Sequence, residues 1–393
     1  MAATPRTANS MTTCRKVVYD TNYIDSTLDE TEGKRVFVLA SKSLDKESDI
    51  VSKLVQKLEE QQQLSGLLTG IEQHTSDSSC IRAANLVRDS GADCVVTLGE
   101  GAVTDASKAI RICLTYNIQD ASGFRQFQRA SQIYNPLPID FKSDLTVINI
   151  PTTLSAAAYS LVTGLKDTET GAKFGYLHDN LVPDVVILDP NTTVHTPEQL
   201  WISSGVRAID HSIETICSPM TNMLADTACK QGLKLLIENL KPSKNVDSTG
   251  LSARKNCLLG AWLSSTGLTQ DIPMGGSHGI GHILGTYGVS HGYTSCIMAP
   301  HVVKYNWDHM NSAMQSHLVE AFGETEPPHK ALFQFIRDLM MPQSLSDVGI
   351  KKDDIPHIAQ KATLDLFTQG NLRPLNVFTI EQILHNAYAT DSI

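Results

Sequence analysis

Apolar positions along the chain follow two patterns, one before and one after residues 190–197. In the first half, short apolar runs alternate with helical stretches. Residues 34–40 (KRVFVLA) are a compact run rich in Val and Phe that predicts a strand, and SKSLDKESDIVSKLVQKLEEQ after it has helical spacing. IRAANLVRDSG reads as a helix closed by Gly91, CVVTLG as a short buried strand, DASKAIRICLTY as the next helix, DLTVINIP as another strand and residues 185–188 as the last. Alternating β and α segments predict an α/β dinucleotide-binding domain with a Rossmann-like, doubly wound parallel sheet.

After Pro197 the spacing turns helical throughout, with predicted spans at 198–217, 221–240, 251–268, 276–286, 311–322, 329–339, 354–367 and 379–388. The expected organisation is therefore an irregular or disordered lead-in over residues 1–30, an α/β domain over 31–194 and an all-α catalytic domain over 195–393. No internal repeat or low-complexity tract interrupts the chain.

Composition narrows the function classes. At 393 residues the chain has room for two domains that each bury a core. Hydrophobic residues make up 41% and charged residues 19%, and no apolar run approaches the roughly 20 residues of a membrane span, so no membrane role is expected. A net charge of -10 with no Lys/Arg block argues against a nucleic-acid surface. Eight scattered cysteines with no CxxC fit a reducing, cytoplasmic compartment, and the N-terminus lacks the apolar core of a signal peptide.

The chemistry concentrates in residues 275–301, which hold four of the thirteen histidines. His278 and His282 stand four apart on a segment that reads as a helix, so their imidazoles share a face, and His291 follows a Gly-rich turn. Upstream, SGVRAIDHSIET places Arg207 and His211 four apart on an amphipathic helix. Two helices offering such pairs are how a helical domain builds a metal or catalytic site, although spacing alone suits a structural pair equally well. In the first half, GEGAVTD is a strand-to-helix turn whose Gly99 and Gly101 let backbone N–H groups and a helix dipole receive a pyrophosphate, a weak signal by itself.

Together, HGIGHILG, SHG and APHVVKYN, preceded by GVRAIDHSIE, resemble the C-terminal signature of the iron-containing alcohol dehydrogenase family. The likeness runs from about residue 30 to 390, including NLRP at 371–374, and implies a site in the cleft between an N-terminal dinucleotide domain and a helical domain. It also implies the cofactor residues. Gly99, Gly101, Asp105 and Lys108 hold their places in the family's GGGSxxDxxK turn, while Glu100 replaces a glycine and Ala102 a serine. Thr152, Thr153 and Ser155 match the IPTT segment that lines the cofactor site, and Lys173 completes the set carried over. The family's NAD-selecting Asp aligns near Ser41, a neutral residue followed by Lys42, so the cofactor is NADH or NADPH and the choice between them stays open.

In typical members of the family an Asp and three His hold a divalent iron or zinc that polarises the substrate's carbonyl. Those positions map onto Arg207, His211, His278 and His291. Arg207 is permanently cationic and has no lone pair to donate, and a unit charge about 5 Å from a divalent ion is worth roughly 7 kcal/mol, so exchanging Asp for Arg turns an attraction of that size into repulsion. The expectation is a metal-free site; were zinc or iron bound, His211, His278 and His291 would hold it. Arg207 would then take the electrostatic task, with His211, His278, His282 and His291 around it donating the proton or adding positive charge.

The lost Asp, with PTTLSAAAYS in place of the GTGSE form, makes the chain resemble the maleylacetate reductase branch, which implies NAD(P)H-dependent reduction of an unsaturated keto-dicarboxylate, maleylacetate to 3-oxoadipate, in aromatic catabolism. A small anionic substrate and a homodimer are the partners this implies. Other readings stay open: a metal-dependent alcohol dehydrogenase or reductase of another aldehyde or keto acid in the family, a dehydroquinate-synthase-like lyase, and a non-catalytic dinucleotide-binding protein.

Overall fold

Val36, Val38 and Ala40 pack into one buried cluster while Phe37 and Leu39 pack into another, so the first predicted strand sends alternate side chains to opposite faces of a sheet covered on both sides. A computed structural model describes residues 14, 16–71, 75–129, 134–323 and 327–389, and the chain divides into two compact units, Met1–Thr196 and Pro197–Ile393.

The first unit carries strands β1 (Lys16–Tyr19), β2 (Val36–Ala40), β3 (Leu64–Thr69), β4 (Cys94–Gly99), β5 (Tyr134–Pro136), β6 (Thr146–Pro151), β7 (Val162–Lys166), β8 (Lys173–Leu177) and β9 (Val185–Leu188). Its helices are α1 (Tyr23–Glu30), α2 (Lys42–Glu47), α3 (Ile50–Glu60), α4 (Asp77–Ser90), α5 (Gly101–Thr115) and α6 (Ser122–Arg125). The main sheet runs β1-β9-β6-β4-β2-β3 with every neighbouring pair parallel. From β2 outward the chain lays a strand on one side, β3, and then crosses to the other, β4. That reversal between β2 and β4 is a topological switch point, where open parallel sheets bind ligands beyond the carboxyl ends of their strands. A three-stranded sheet, β5-β8-β7, stands apart from the first.

Several expectations need correction. Residues 1–30 are not wholly a lead-in: β1 pairs in register with β9, and α1 is capped by the Asn22 side chain on the N–H of Ile24. KVVY is too short to carry a period of its own, and its partner lies far along the sequence. Residues 1–13 and 15 lie outside the described residues. The single helix expected after β2 is two, α2 and α3, because Ser48 turns extended and its hydroxyl bonds back to Leu44 O at 2.6 Å. At the close of α4, Gly91 takes the left-handed conformation predicted for it, φ 64°.

Among the described residues, no strand lies in the second unit. Its helices are α7 (Glu198–Cys217), α8 (Met223–Asn239), α9 (Ser248–Ser264), α10 (Thr266–Thr269), α11 (Gly276–Thr286), α12 (His291–Asn306), α13 (Ser312–Phe322), α14 (Pro328–Asp338), α15 (Ile355–Ala362), α16 (Leu366–Gln369) and α17 (Val377–Asn386). The helix predicted over 354–367 stops at Ala362, and Asp365 starts α16 by accepting the N–H of Phe367. The sequence pattern did not give α12: it begins at a histidine followed by Gly292 and contains Pro300, two residues that ordinarily break helices. Packing overrides them, since α12 buries Cys296, Ile297, Met298 and Val302.

Candidate active site

In the α/β unit the predicted cofactor residues gather at the carboxyl ends of β2, β4 and β6. Ser41 leaves β2 with its N–H on Leu98 O at 2.9 Å, and Thr152 leaves β6 with its N–H on Gly99 O at 3.0 Å. Gly101 starts α5, and a Cβ placed there would stand 3.0 Å from Ser155 Oγ, so the glycine allows the turn and the Thr152-to-Ser155 loop to approach closely. The first intrahelical bond of α5 is Val103 N to Glu100 O, which leaves the N–H groups of Gly101 and Ala102 ahead of it at the positive end of the helix dipole. This arrangement fits a dinucleotide pyrophosphate.

Other members of the predicted set have structural duties. Ser155 Oγ accepts the N–H of Ala157 at 3.3 Å and so caps a short turn, while Thr152 and Thr153 are buried. Asp105 lies 3.5 Å from the buried Lys108, whose ammonium also bonds Val162 O at 2.7 Å and Ser160 Oγ at 3.1 Å. Burial pushes the Asp105 carboxyl up to about 6 against the pull of Lys108, and pushes Lys108 down to about 8. Lys173 opens β8 on the smaller sheet, opposite Lys166.

In the helical unit, α7, α11 and α12 bring four of the five predicted catalytic residues around one buried core. The rings of His211 and His278 stand 4.7 Å apart between centroids. Burial, aided by Arg207 and by the neighbouring imidazoles, holds both well below the usual histidine range, so both are neutral at physiological pH. His278 therefore does not supply the positive charge expected of it for an anionic substrate. Arg207 carries a permanent charge, and its Nη1 bonds Ser295 Oγ at 3.1 Å, Thr294 Oγ1 at 3.4 Å and His291 O at 3.5 Å, fastening the guanidinium to the first turn of α12. Gly281 makes room, since a Cβ there would meet Thr294 Oγ1 at 2.8 Å and Arg207 Nη1 at 3.6 Å. His291 itself is exposed, its ring beside Gly285. His282 bonds Asp365 through Nδ1 at 2.9 Å and lies 5.2 Å from the Phe367 ring.

Three side chains at this site were not in the predicted set. Glu214, on α7, accepts the N–H of Gly275 at 2.8 Å, of Ser277 at 2.7 Å and, more weakly, of His278 at 3.4 Å, and meets His278 Nδ1 at 2.7 Å. Asp210 Oδ2 receives the hydroxyls of Ser277 at 2.7 Å and Ser295 at 2.6 Å. The third is Asp365. Arg207, Asp210 and Glu214 are spaced i, i+3, i+7, one face of a helix, and that spacing was the available signal. Burial drives both Asp210 and Glu214 upward, and the Glu214 charge adds to the effect on Asp210, so the pair keeps a proton at neutral pH.

The family's four-ligand set is incomplete in these residues. The ligand position four before His211 carries a cation tied to α12. Among the described residues the donors that do come within 4.8 Å of one another are Asp210, Glu214 and His278, and their near atoms are engaged with serine hydroxyls, the start of α11 and each other.

A parallel sheet with a glycine turn at its switch point, together with a helical unit holding a histidine cluster, defines a dinucleotide-dependent oxidoreductase. Residues 14–190 match the model for iron-containing alcohol dehydrogenase and residues 201–388 that for the C-terminal part of the Fe-containing alcohol dehydrogenase family. The chain belongs to the iron-containing alcohol dehydrogenase family, whose enzymes are oxidoreductases that use NAD(P) and typically a metal. It is 30% identical over 393 residues to the dehydrogenase FUM7 of Gibberella moniliformis, covering 90% of each chain. It is 28% identical over 326 residues to maleylacetate reductase 1 of Cupriavidus pinatubonensis, covering 83% of this chain and 82% of that protein. The fold is shared with the crystal structure of maleylacetate reductase from Agrobacterium tumefaciens, with a TM-score of 0.79, 24% identity and 97% of each chain covered.

Proposed function

We propose that the protein is an NAD(P)H-dependent reductase of an unsaturated keto-dicarboxylate, converting maleylacetate to 3-oxoadipate without a bound metal. The observation that carries this reading is Arg207, a guanidinium fastened to α12 where the family's metal-ligand Asp stands. Hydride from the nicotinamide adds to the alkene carbon β to the ketone. The electron pair moves onto the ketone oxygen as an enolate, and a proton at the α-carbon completes the product. Arg207 holds the developing oxyanion or a substrate carboxylate, a task suited to a planar cationic donor in a partly dry site. His282, fixed by Asp365 through Nδ1, transfers the proton through Nε2.

This reading places the enzyme in aromatic catabolism and in the cytoplasm, as a homodimer. The cytoplasmic placement is supported by eight buried free cysteines.

Metal analysis of the purified protein beside NADH and NADPH oxidation with maleylacetate and with simple aldehydes tests the proposal. Turnover of maleylacetate by metal-free protein, indifferent to chelators, is expected. Activity confined to simple aldehydes or alcohols and lost with iron or zinc would instead favour a metal-dependent alcohol dehydrogenase, a reading to which the unpartnered buried nitrogens His211 Nδ1 and His278 Nε2 lend some weight.

A further inference from the structure

We propose that Lys166 is a cofactor-binding residue, which faces Lys173 across β7 and β8 and forms with it a two-cation seat for the pyrophosphate of NAD(P)H. The strand pairing shows which face carries the two ammonium groups. Leu165 pairs with Phe174 and Thr163 with Tyr176; Leu165, Phe174 and Tyr176 belong to a core cluster, and Thr163 Oγ1 bonds Asp105 O at 2.9 Å. Side chains alternate along a strand, so Lys166, Lys173, Gly164 and Gly175 share the opposite face. Directly opposite residues hold their Cβ atoms about 5 Å apart, and like charges so placed destabilise a strand pair. Burial, with the Lys166 charge adding to it, lowers the Lys173 ammonium below its usual pKa. An anion held between the two removes that repulsion.

The two carboxylates of the loop between the strands are turned to other partners. Asp167 Oδ1 takes the N–H groups of Glu169 at 2.9 Å and Thr170 at 2.8 Å, and the Arg125 guanidinium pairs with Glu169 and lies 3.6 Å from Asp167. A phosphate site lies close by, at the start of α5. Lys166 donates its N–H to Thr75 O at 3.2 Å, and Thr75 donates its hydroxyl to Ala102 O at 3.5 Å, in the first turn of that helix. Gly164, on the lysine face, has open space where a Cβ would stand, so no side chain there crowds an approaching phosphate. Lys173 is in the set that the family resemblance implies; Lys166 is this chain's addition to it. The inference rests on the dinucleotide reading and not on the substrate.

The test is nicotinamide fluorescence titration of the full chain with NADH and with NADPH, without substrate. Lys166→Met should raise both Kd values by the same factor, about tenfold, because a charge-assisted contact to a phosphate is lost. Its affinity should also depend less on salt, and Lys166→Arg should keep most of the wild-type affinity. The Tm of cofactor-free Lys166→Met should not fall, since a like-charge contact is gone. Unchanged Kd values overturn the inference, and so does a loss confined to NADPH, which would put the 2′-phosphate at this face. A lower Tm, with an affinity that Lys166→Arg does not keep, makes Lys166 structural and overturns it too. Should Lys166→Met not fold, the wild type decides: NADH should shield Lys166 from acetylation by acetic anhydride, read by mass spectrometry, and equal labelling with and without NADH overturns the proposal. A wild type that binds neither nucleotide sinks the dinucleotide reading as well, whereas a binding wild type beside an unchanged Lys166→Met sinks this inference alone.

Discussion

At the end of β4, partners are fixed by backbone: Thr152 N on Gly99 O, Ser41 N on Leu98 O, and a glycine at 101 that lets Ser155 come close. Around α7, α11 and α12 they are fixed by side chains: Glu214 on His278, two serines on Asp210, Arg207 on Ser295. A backbone-built site tolerates change in most side chains, so departures such as Glu100 and Ala102 weigh less there. A side-chain-built site changes its chemistry with one substitution. In the helical unit, an Arg in place of one carboxylate changes what the surrounding imidazoles can do, although His211, His278 and His282 keep their spacing.

The largest expected effect breaks the second kind of site. Arg207→Ala should cost about 3 kcal/mol in transition-state stabilisation, on the order of a hundredfold in kcat/KM for a dicarboxylate, because a preorganised donor to the oxyanion is gone. Chelator treatment of the wild type should cost almost nothing. Arg207→Asp restores the family's four-ligand pattern and should raise zinc or iron affinity, read by metal content after dialysis, while turnover on dicarboxylates falls. A wild type that loses activity to a chelator and regains it with zinc, beside an active Arg207→Ala, would make Arg207 a bystander.

Next come the glycines of the first kind of site, compared with each other. A Cβ at Gly99 would meet Val103 Cγ2 at 2.9 Å, Ser41 Cβ at 3.1 Å and Ser41 N at 3.3 Å, the last being backbone that cannot rotate aside. At Gly101 it would meet only the Ser155 hydroxyl at 3.0 Å as a tight contact, and that group can turn. Gly99→Ala should therefore cost about 1–3 kcal/mol in stability and weaken NAD(P)H binding, whereas Gly101→Ala should be mild. Gly101→Asp, which adds a carboxylate where the pyrophosphate is placed, should weaken binding at least tenfold, about 1.4 kcal/mol, by nicotinamide fluorescence titration. Unchanged affinity in Gly101→Asp would move the pyrophosphate elsewhere.

How far the sequence could be read follows the same division. Strands β2, β4, β6 and β9 were legible because a sheet buried on both faces writes continuous apolar runs, and α7 and α11 because helix spacing survives in their apolar faces. β1, β5, β7 and β8 were not: each is five residues or fewer, and β1 and β5 pair with strands distant in sequence. α12 was hidden by Gly292 and Pro300, whose cost is met by tertiary packing that no local pattern reports. Within the site, residue types and spacings were legible, but protonation was not. His278 looks like a cation on paper, and it is burial, with Arg207 nearby, that holds it well below the usual histidine range. Nor does any local pattern report that Asp210 on α7 takes the hydroxyls of Ser277 on α11 and Ser295 on α12.

Asp210 also sharpens the comparison through pH. Its folded pKa is raised to about 8, above the ordinary carboxylate range, so the folded state holds the proton that the unfolded state releases. Stability from this group is fully present below the unfolded value near 3.9 and is lost as pH rises through the folded value. Asn cannot ionise, so Asp210→Asn should flatten the decline of Tm between about pH 5 and 9. The lowered pKa values of His211 and His278 act in the opposite sense: stability is lost as pH falls below their unfolded value near 6.5, and the variant should leave that acid arm in place. An alkaline slope identical in wild type and Asp210→Asn would place the buried proton on another group.

The smallest effect tests where the backbone-built site ends. Ser41 follows β2, the first strand of the switch point, is buried, and shares a hydroxyl contact with Ser43 at 3.0 Å. An acidic residue at the end of such a strand bonds the adenosine ribose 2′-OH and repels a 2′-phosphate. A serine there, with Lys42 beside it, does neither, so the wild type should accept NADH and NADPH with similar kcat/KM. Ser41→Asp should shift the ratio toward NADH about tenfold, about 1.4 kcal/mol, and Lys42→Ala should lower kcat/KM with NADPH while leaving NADH nearly unchanged. The ratio of kcat/KM for the two cofactors, measured in all three proteins, reads both effects. An unmoved ratio in a folded Ser41→Asp would show that the ribose lies away from β2. The pyrophosphate assignment at Gly101 would then stand or fall on Gly101→Asp alone.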